Sequence, residues 1–227
     1  MAKLKKKTIK EKNQESKEEK SEFNSLVYFG IVIVLILIIC YASYSLYISS
    51  KQFEYAGLKF EKVRLGKLIF YQTTIPLYTK DITGKPVNSA NFSVMMRNDP
   101  RTLENISING VLKLKPKVIL ASEGLECEDN GIAGGELGQV LGRWTKVKTG
   151  TTNQTLAEEM EMPYATCDPK VRYLDSSVLI FKQGNVTEIN QKNGIDCYEV
   201  SVANCDILRA TERYIIGLYA HSRGIKV

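Results

Sequence analysis

Groups that carry chemistry are scarce in this chain. Of 227 residues one is histidine, His221, and one is tryptophan, Trp144. A single imidazole excludes a histidine-rich metal site and leaves a Cys/His or Ser/His nucleophile with one candidate base, placed at the end of the last helical pattern. None of the five cysteines forms a CxxC pair, which removes the thioredoxin-type motif and the paired knuckles of a structural zinc site. Neither GxGxxG nor GxxxxGK[ST] occurs, so no standard phosphate loop is present. Acidic residues such as Asp168, Asp175 and Asp196 are scattered, with no spacing that would bring them together. No internal repeat is visible at a period of twenty to fifty residues. The checklist for an active site is not met anywhere, and no catalytic residue, metal or cofactor is expected.

Charge is also missing altogether from residues 23–50. Within that window lies VYFGIVIVLILIICYASYSL, residues 27–46, whose helical length of roughly 30 Å matches a bilayer's hydrocarbon core. Tyr28 at one end and Tyr41, Tyr44 and Tyr47 at the other fit interfacial aromatic belts. The sequence therefore divides into a charged tail at 1–25, a transmembrane helix at 26–48, a β-rich part at 55–114 and an α/β part at 115–227. Eight lysines and five glutamates with hardly an apolar residue predict a disordered tail. The rest of the net charge of +6 is too small to argue for a nucleic-acid partner.

Lysine and arginine nearly tie across the span, but long domains cross regardless of charge, which tips the tail to the cytoplasmic side. Cys127, Cys167, Cys197 and Cys205, an even number, suit two disulfides in an oxidising space. Sequons at Asn91, Asn105, Asn153 and Asn185 point the same way. The small residues of Cys40-Tyr-Ala42 and Ser43-Tyr-Ser45 raise signal cleavage as an alternative, but the apolar run and the charged region before it are longer than a signal peptide uses. Ile38 and Ile39 before Cys40 speak against a lipoprotein site. The expected location is the cell membrane, single-pass, with the lipid bilayer and other envelope proteins as partners.

The expected fold class is α/β, with α+β as the alternative: a β-rich layer, then strands alternating with helices around a partly parallel sheet. Residues 58–74 read as a hairpin turning at Gly66-Lys67, and Phe92, Val94 and Met96 alternate as a strand after a loop at 81–86. Asn98-Asp99-Pro100-Arg101 reads as a turn, and Asn109-Gly110 predicts a second hairpin between Ile106/Ile108 and Val111–Leu114. Strands are expected at 118–121, 164–166, 178–181 and 197–202. Ala133, Leu137, Val140, Leu141 and Trp144 share one helical face, and Thr155-Leu-Ala-Glu158 has capping-box spacing before a helix ended by Pro163. The last helix is expected to start at an Asn204 N-cap and to bury one face carrying Ile207, Leu208, Thr211, Tyr214, Ile215, Leu218 and Tyr219.

One segment carries a candidate ligand loop: Glu126, Cys127 and Asp129, followed by Gly131, Gly134 and Gly135 at a helix start. Glycines there can admit an anion, but GxxGGxxG is the wrong spacing and the acids would repel it, so close packing of helix on sheet is the expected role. Cys127 and Cys167 each follow a predicted strand, so the expected disulfides are Cys127 with Cys167 and Cys197 with Cys205, out of three connectivities. The lysine-rich start, isoleucine-rich anchor and cysteine-bearing domain, with the phrases Arg97-Asn-Asp-Pro-Arg101 and Asn204-Cys-Asp206, resemble uncharacterised single-pass membrane proteins of small-genome archaea. That resemblance implies no activity. A pilin-like subunit is disfavoured because Val34 or Leu35 stands where a pilin has glutamate. The leading expectation is a non-catalytic binding or assembly domain; the alternative is an anchored enzyme or thiol redox protein using the Cys127 loop and the helix start at 131–138.

Overall fold

A computed structural model describes residues 29–49, 51–80, 86–171, 173–192 and 196–226. The expected tail at 1–25 and residues 81–85 of the loop expected at 81–86 lie outside them, and Pro86 belongs to the strand that follows. The described residues divide into two compact units, one ending at Lys51 and one beginning at Gln52. In the first, the uncharged run forms one helix, α1 (Phe29–Ser49), of 21 residues with mean hydropathy 2.5 and no buried share. It is long and apolar enough to cross a membrane.

The second unit is α/β and contains two sheets. Strands β1 (Gln52–Tyr55), β2 (Leu58–Leu65), β3 (Leu68–Lys80) and β4 (Pro86–Met96) make an antiparallel sheet in sequence order. Its alternation is that of a half-buried sheet: Leu58 and Phe60 are buried while Lys59 and Glu61 between and after them are exposed. The β2–β3 turn is Gly66-Lys67 as expected, and Gly66 takes φ +63°, which a residue without Cβ adopts freely. A 3-10 helix (Pro100–Asn105) follows, with Asp99 accepting from the Arg101 amide at its start.

The second sheet has the order β5-β9-β10-β8-β6-β7, with β5 (Ser107–Asn109), β6 (Lys117–Glu123), β7 (Lys146–Thr149), β8 (Ser176–Gln183), β9 (Glu188–Gln191) and β10 (Cys197–Val202). Strands β10, β8, β6 and β7 are parallel to one another; β9 runs against β10 and carries β5 alongside it. Helices α2 (Asn130–Leu141), α3 (Gln154–Glu159) and α4 (Ile207–Ser222) complete the unit. One face of this sheet shares the main core with α2, α4 and the inner residues of the first sheet, including Phe60, Ile75 and Met96. The other face is a smaller core of Ile119, Ala121, Val178 and Ile180 with Ala165 and Cys197.

Asn109-Gly110 does not turn a hairpin. Strand β5 pairs in parallel with β9, and residues 111–116 form no strand. Their amide hydrogens go to side chains instead: Val111 donates to Gln191 Oε1, Leu112 to His221 Nδ1, Lys113 to the Tyr198 hydroxyl and Lys115 to Ser177 Oγ. Side-chain acceptors from distant elements, the buried Tyr198 and Ser177 among them, have displaced the local ladder that the dipeptide favours. Tyr198, fully buried, also has its single hydroxyl hydrogen shared between the Val111 and Lys113 carbonyls at 3.2 and 3.0 Å. Tyr198→Phe should therefore lower stability by about 1–3 kcal/mol by stranding these backbone groups, measured as a drop in the unfolding midpoint.

Three further expectations change. The short helix α3 is capped by Asn153, which accepts from the Leu156 amide, so Thr155 and Glu158 lie inside the helix rather than forming a capping box. The expected strand at 164–166 reduces to a single bridge between Thr151 and Tyr164. Helix α4 starts after Asp206 rather than at Asn204, and it is buried nearly all round, Glu212 and Arg213 included. The reason is that it packs on both sheets: Arg213 donates to the Tyr55 hydroxyl of β1 and to the Ile106 carbonyl before β5. The alternating apolar face read from the sequence sees one of these surfaces only.

Candidate functional site

The carboxyl ends of parallel strands are where open α/β sheets leave a crevice. Here β6 runs into the loop before α2, and β10 runs into the turn before α4. Between these ends lies a cavity of ≈ 330 Å³, at the small end of ligand-site volumes. Its apolar walls include Leu120 from β6, Phe181 from β8, Leu137 from α2 and Ile207 from α4. Its polar groups are Ser122, Asn130, Thr149 and Thr211; none of the described residues lining it is charged.

Two of those polar groups lack partners. Thr211 is fully buried and its hydroxyl oxygen has no hydrogen bond. The Asn130 side chain is held by its Nδ2, which donates to the Leu125 carbonyl at 2.8 Å, and its Oδ1 is left buried and unpaired. Each such group costs about 1–3 kcal/mol unless something hydrogen-bonds to it.

A disulfide fastens the two chain segments that lead into α2 and α4. Cys127 is bonded to Cys205 across a Cα separation of 5.4 Å, and Cys167 to Cys197 across 5.6 Å. This differs from the expected connectivity. Cys197 begins β10 and Cys205 follows its end, so a six-residue strand of about 3.3 Å per residue holds them apart. Cys167 lies with Cys197 against the smaller core, away from the edge where Cys127 sits. Asn204 and Cys205 both take left-handed backbone, φ +51° and +57°, which places the thiol of Cys205 on the turn rather than in α4.

The candidate loop is thus split between two hollows. Glu126 and Cys127 line a separate polar recess of ≈ 490 Å³ with Gln183, Asn204 and Cys205. Gly134 lines the apolar cavity, whereas Asp129, Gly131 and Gly135 line neither. Glycines 131, 134, 135 and 138 do not serve close packing, because a Cβ at any of them would meet nothing within 4 Å. No group of three or more acidic, cysteine or histidine ligands stands together among the described residues.

A carboxyl pair on α2 and α4 escapes the sequence pattern. Glu212 is fully buried and accepts from the Arg97 amide, the Asn98 amide and Asn98 Nδ2, joining the end of β4 to α4. Burial pushes its pKa up to about 7 against those hydrogen bonds. Burial, and then the nearby Glu212, push Glu136 up to about 8, and its Oε1 has no partner. The only advance signal was a glutamate interrupting the apolar run of the last helix.

Comparison of the chain with family models, curated proteins and solved structures gives no match.

Proposed function

We infer that the chain is a single-pass membrane protein whose α/β domain lies outside the cytosol, with the 1–25 tail inside, and acts by binding or assembly in the cell envelope. The observation that carries this reading is the coexistence of the 21-residue apolar helix with four domain cysteines joined as two disulfides. Reducing compartments do not maintain such bonds in ordinary domains. The free cysteine, Cys40, belongs to the apolar helix. The hollow lined by Leu120, Leu137, Phe181 and Ile207 is compatible with a binding role.

One observation favours a second reading, an anchored thiol–disulfide protein: Cys205 is exposed and sits in left-handed backbone beside the helix start. Protease added to intact cells expressing the full chain should digest the domain and spare an epitope on the tail; a protected domain overturns the inside-to-outside assignment. Alkylation without reductant should label no domain cysteine. A domain thiol labelled in the untreated protein, with Cys127 as the labelled site, would favour the redox reading instead.

A further inference from the structure

We propose that the β2–β3 turn is a second point of membrane contact: residues 63–70 project from the first sheet as a bare two-stranded finger whose tip enters the headgroup layer of the bilayer that α1 crosses. This deepens the reading above and rests on α1 spanning a membrane.

Both neighbouring strands stop short of the finger. Strand β1 reaches only Glu61 on β2, where Gln52 pairs, and β4 reaches only Tyr71 on β3, where Met96 pairs. Beyond them Val63 faces Phe70, Arg64 faces Ile69 and Leu65 faces Leu68, and each strand has the other alone for a partner. A lone two-stranded ribbon has little stability in water, yet this one shows apolar side chains to solvent on both faces. Leu65 and Leu68 stand on the face opposite Phe60, and Ile69 stands on the face of Phe60 but past the core; they are 51%, 54% and 46% exposed. Among the described residues of the domain, no other stretch of five positions exposes three large apolar side chains, which marks the tip as a contact surface.

The register also gives the finger its direction. The chain comes to β1 from α1, and Gln52 stands three positions after Ser49. Three residues reach at most about 11 Å, so the start of β1 cannot leave the end of the apolar segment by more than that. Strands β1 and β2 are antiparallel with Gln52 opposite Glu61, so Leu65 lies four positions past the start of β1, about 13 Å back towards where the chain arrives. The reach of the finger thus exceeds the slack of the tether.

The chemistry of the tip suits a lipid surface. Residues 62–70 hold Lys62, Arg64 and Lys67 and no acidic side chain. Arg64 Nε donates to the Gly66 carbonyl at 3.2 Å, which holds the guanidinium over the turn. Cations on long apolar stems beside leucines settle at a membrane interface, the leucines entering the acyl boundary while the charges stay among phosphates. Tether and finger then attach one end of the sheet at two points, which limits the tilt of the domain on its anchor.

The test uses the full oxidised chain in nanodiscs of phosphatidylcholine and phosphatidylglycerol, with isoleucine, leucine and valine methyl resonances as reporters. The probe is phosphatidylcholine carrying a nitroxide at carbon 5 of one acyl chain. The methyls of Leu65, Leu68 and Ile69 should broaden at least about fivefold more than those of Leu174 and Val186, which are exposed in loops of the second sheet. Ile33 and Leu37 of α1 report the span itself. In the Leu65→Ser/Leu68→Ser variant, whose changes are both at exposed positions, Ile69 should fall to the level of Leu174 with an unchanged melting temperature. Broadened α1 methyls with an unaffected finger overturn this contact and leave the anchor standing; unaffected α1 methyls overturn the anchor and the contact with it. Equal broadening of finger, Leu174 and Val186 overturns the proposal, as does Ile69 staying broadened in the serine variant. Finger resonances that move with protein concentration and ignore the nitroxide would assign the tip to a second copy of the chain instead.

Discussion

Replacing Glu212 with alanine lowers the stability of the domain by about 3 kcal/mol, read as the urea midpoint of the oxidised full chain in micelles. The Arg97 amide, the Asn98 amide and Asn98 Nδ2 all donate to this carboxyl group, whose residue is fully buried. Truncation strands three donors, each worth about 1 kcal/mol, and leaves a void between the end of β4 and α4. Glu212→Gln keeps the volume and one acceptor oxygen, so it should cost about 1 kcal/mol. A loss below about 1 kcal/mol for alanine would show that the junction is held by other contacts.

The same carboxyl predicts an unusual pH response. With folded pKa values of about 7 for Glu212 and about 8 for Glu136, both raised first by burial, the native state retains protons that the unfolded chain releases near 4.5. The unfolded state therefore binds fewer protons between those limits, and stability falls as pH rises through them. The slope is about −1.4 kcal/mol per pH unit for each proton the pair holds. It flattens below about pH 4 and above about pH 9. The two groups titrate as a pair, so Glu136→Gln should flatten the fall by relieving the repulsion as well as by removing one site. Asp99, lowered mainly by its hydrogen bond from Arg101, acts in the opposite sense: its contribution is lost as pH falls through its own folded pKa. Stability should accordingly peak near pH 4, below the release of the two glutamate protons by the unfolded chain and above the loss of the Asp99 contribution. A flat profile from pH 5 to 8 would remove the protonated pair.

How much of this was legible follows from where each signal originates. The apolar helix, the β2–β3 hairpin and the helix face of Ala133, Leu137, Val140 and Leu141 come from local periodicity, and they stand where the pattern put them. Asn109-Gly110 failed because four side chains from distant elements outcompeted a local turn. Strand β9 has one fully buried apolar residue, Ile189, too little for a period of two to register. The disulfide pairing was open to a geometric argument from the strand: once 197–202 is read as β, residues 197 and 205 belong to opposite ends. The glycine role was misread because close packing was inferred from composition, whereas these glycines face open space. The cavity's stranded oxygens had no advance signal, since Asn130 and Thr211 are unremarkable residues at ordinary helical positions.

Removing either disulfide should cost the domain about 3–5 kcal/mol, and the two losses should be nearly equal. Sequence separations of 78 and 30 residues correspond to about 4.5 and about 3.6 kcal/mol of unfolded-chain entropy. Cys197 is fully buried against Ile119, Val178 and Ile180, whereas Cys205 is exposed, so truncation at Cys197 adds about 1 kcal/mol of lost packing and nearly cancels the difference. The Cys127→Ala/Cys205→Ala and Cys167→Ala/Cys197→Ala variants should then unfold within about 1 kcal/mol of each other. Full reduction removes both contributions, a large share of the roughly 5–15 kcal/mol that holds a domain together, and should unfold the protein at moderate temperature. The first bond fastens the segments entering α2 and α4; the second lies against the other face of the sheet. Stabilities that differ by more than about 2 kcal/mol would mean that loop entropy and packing do not account for the two bonds.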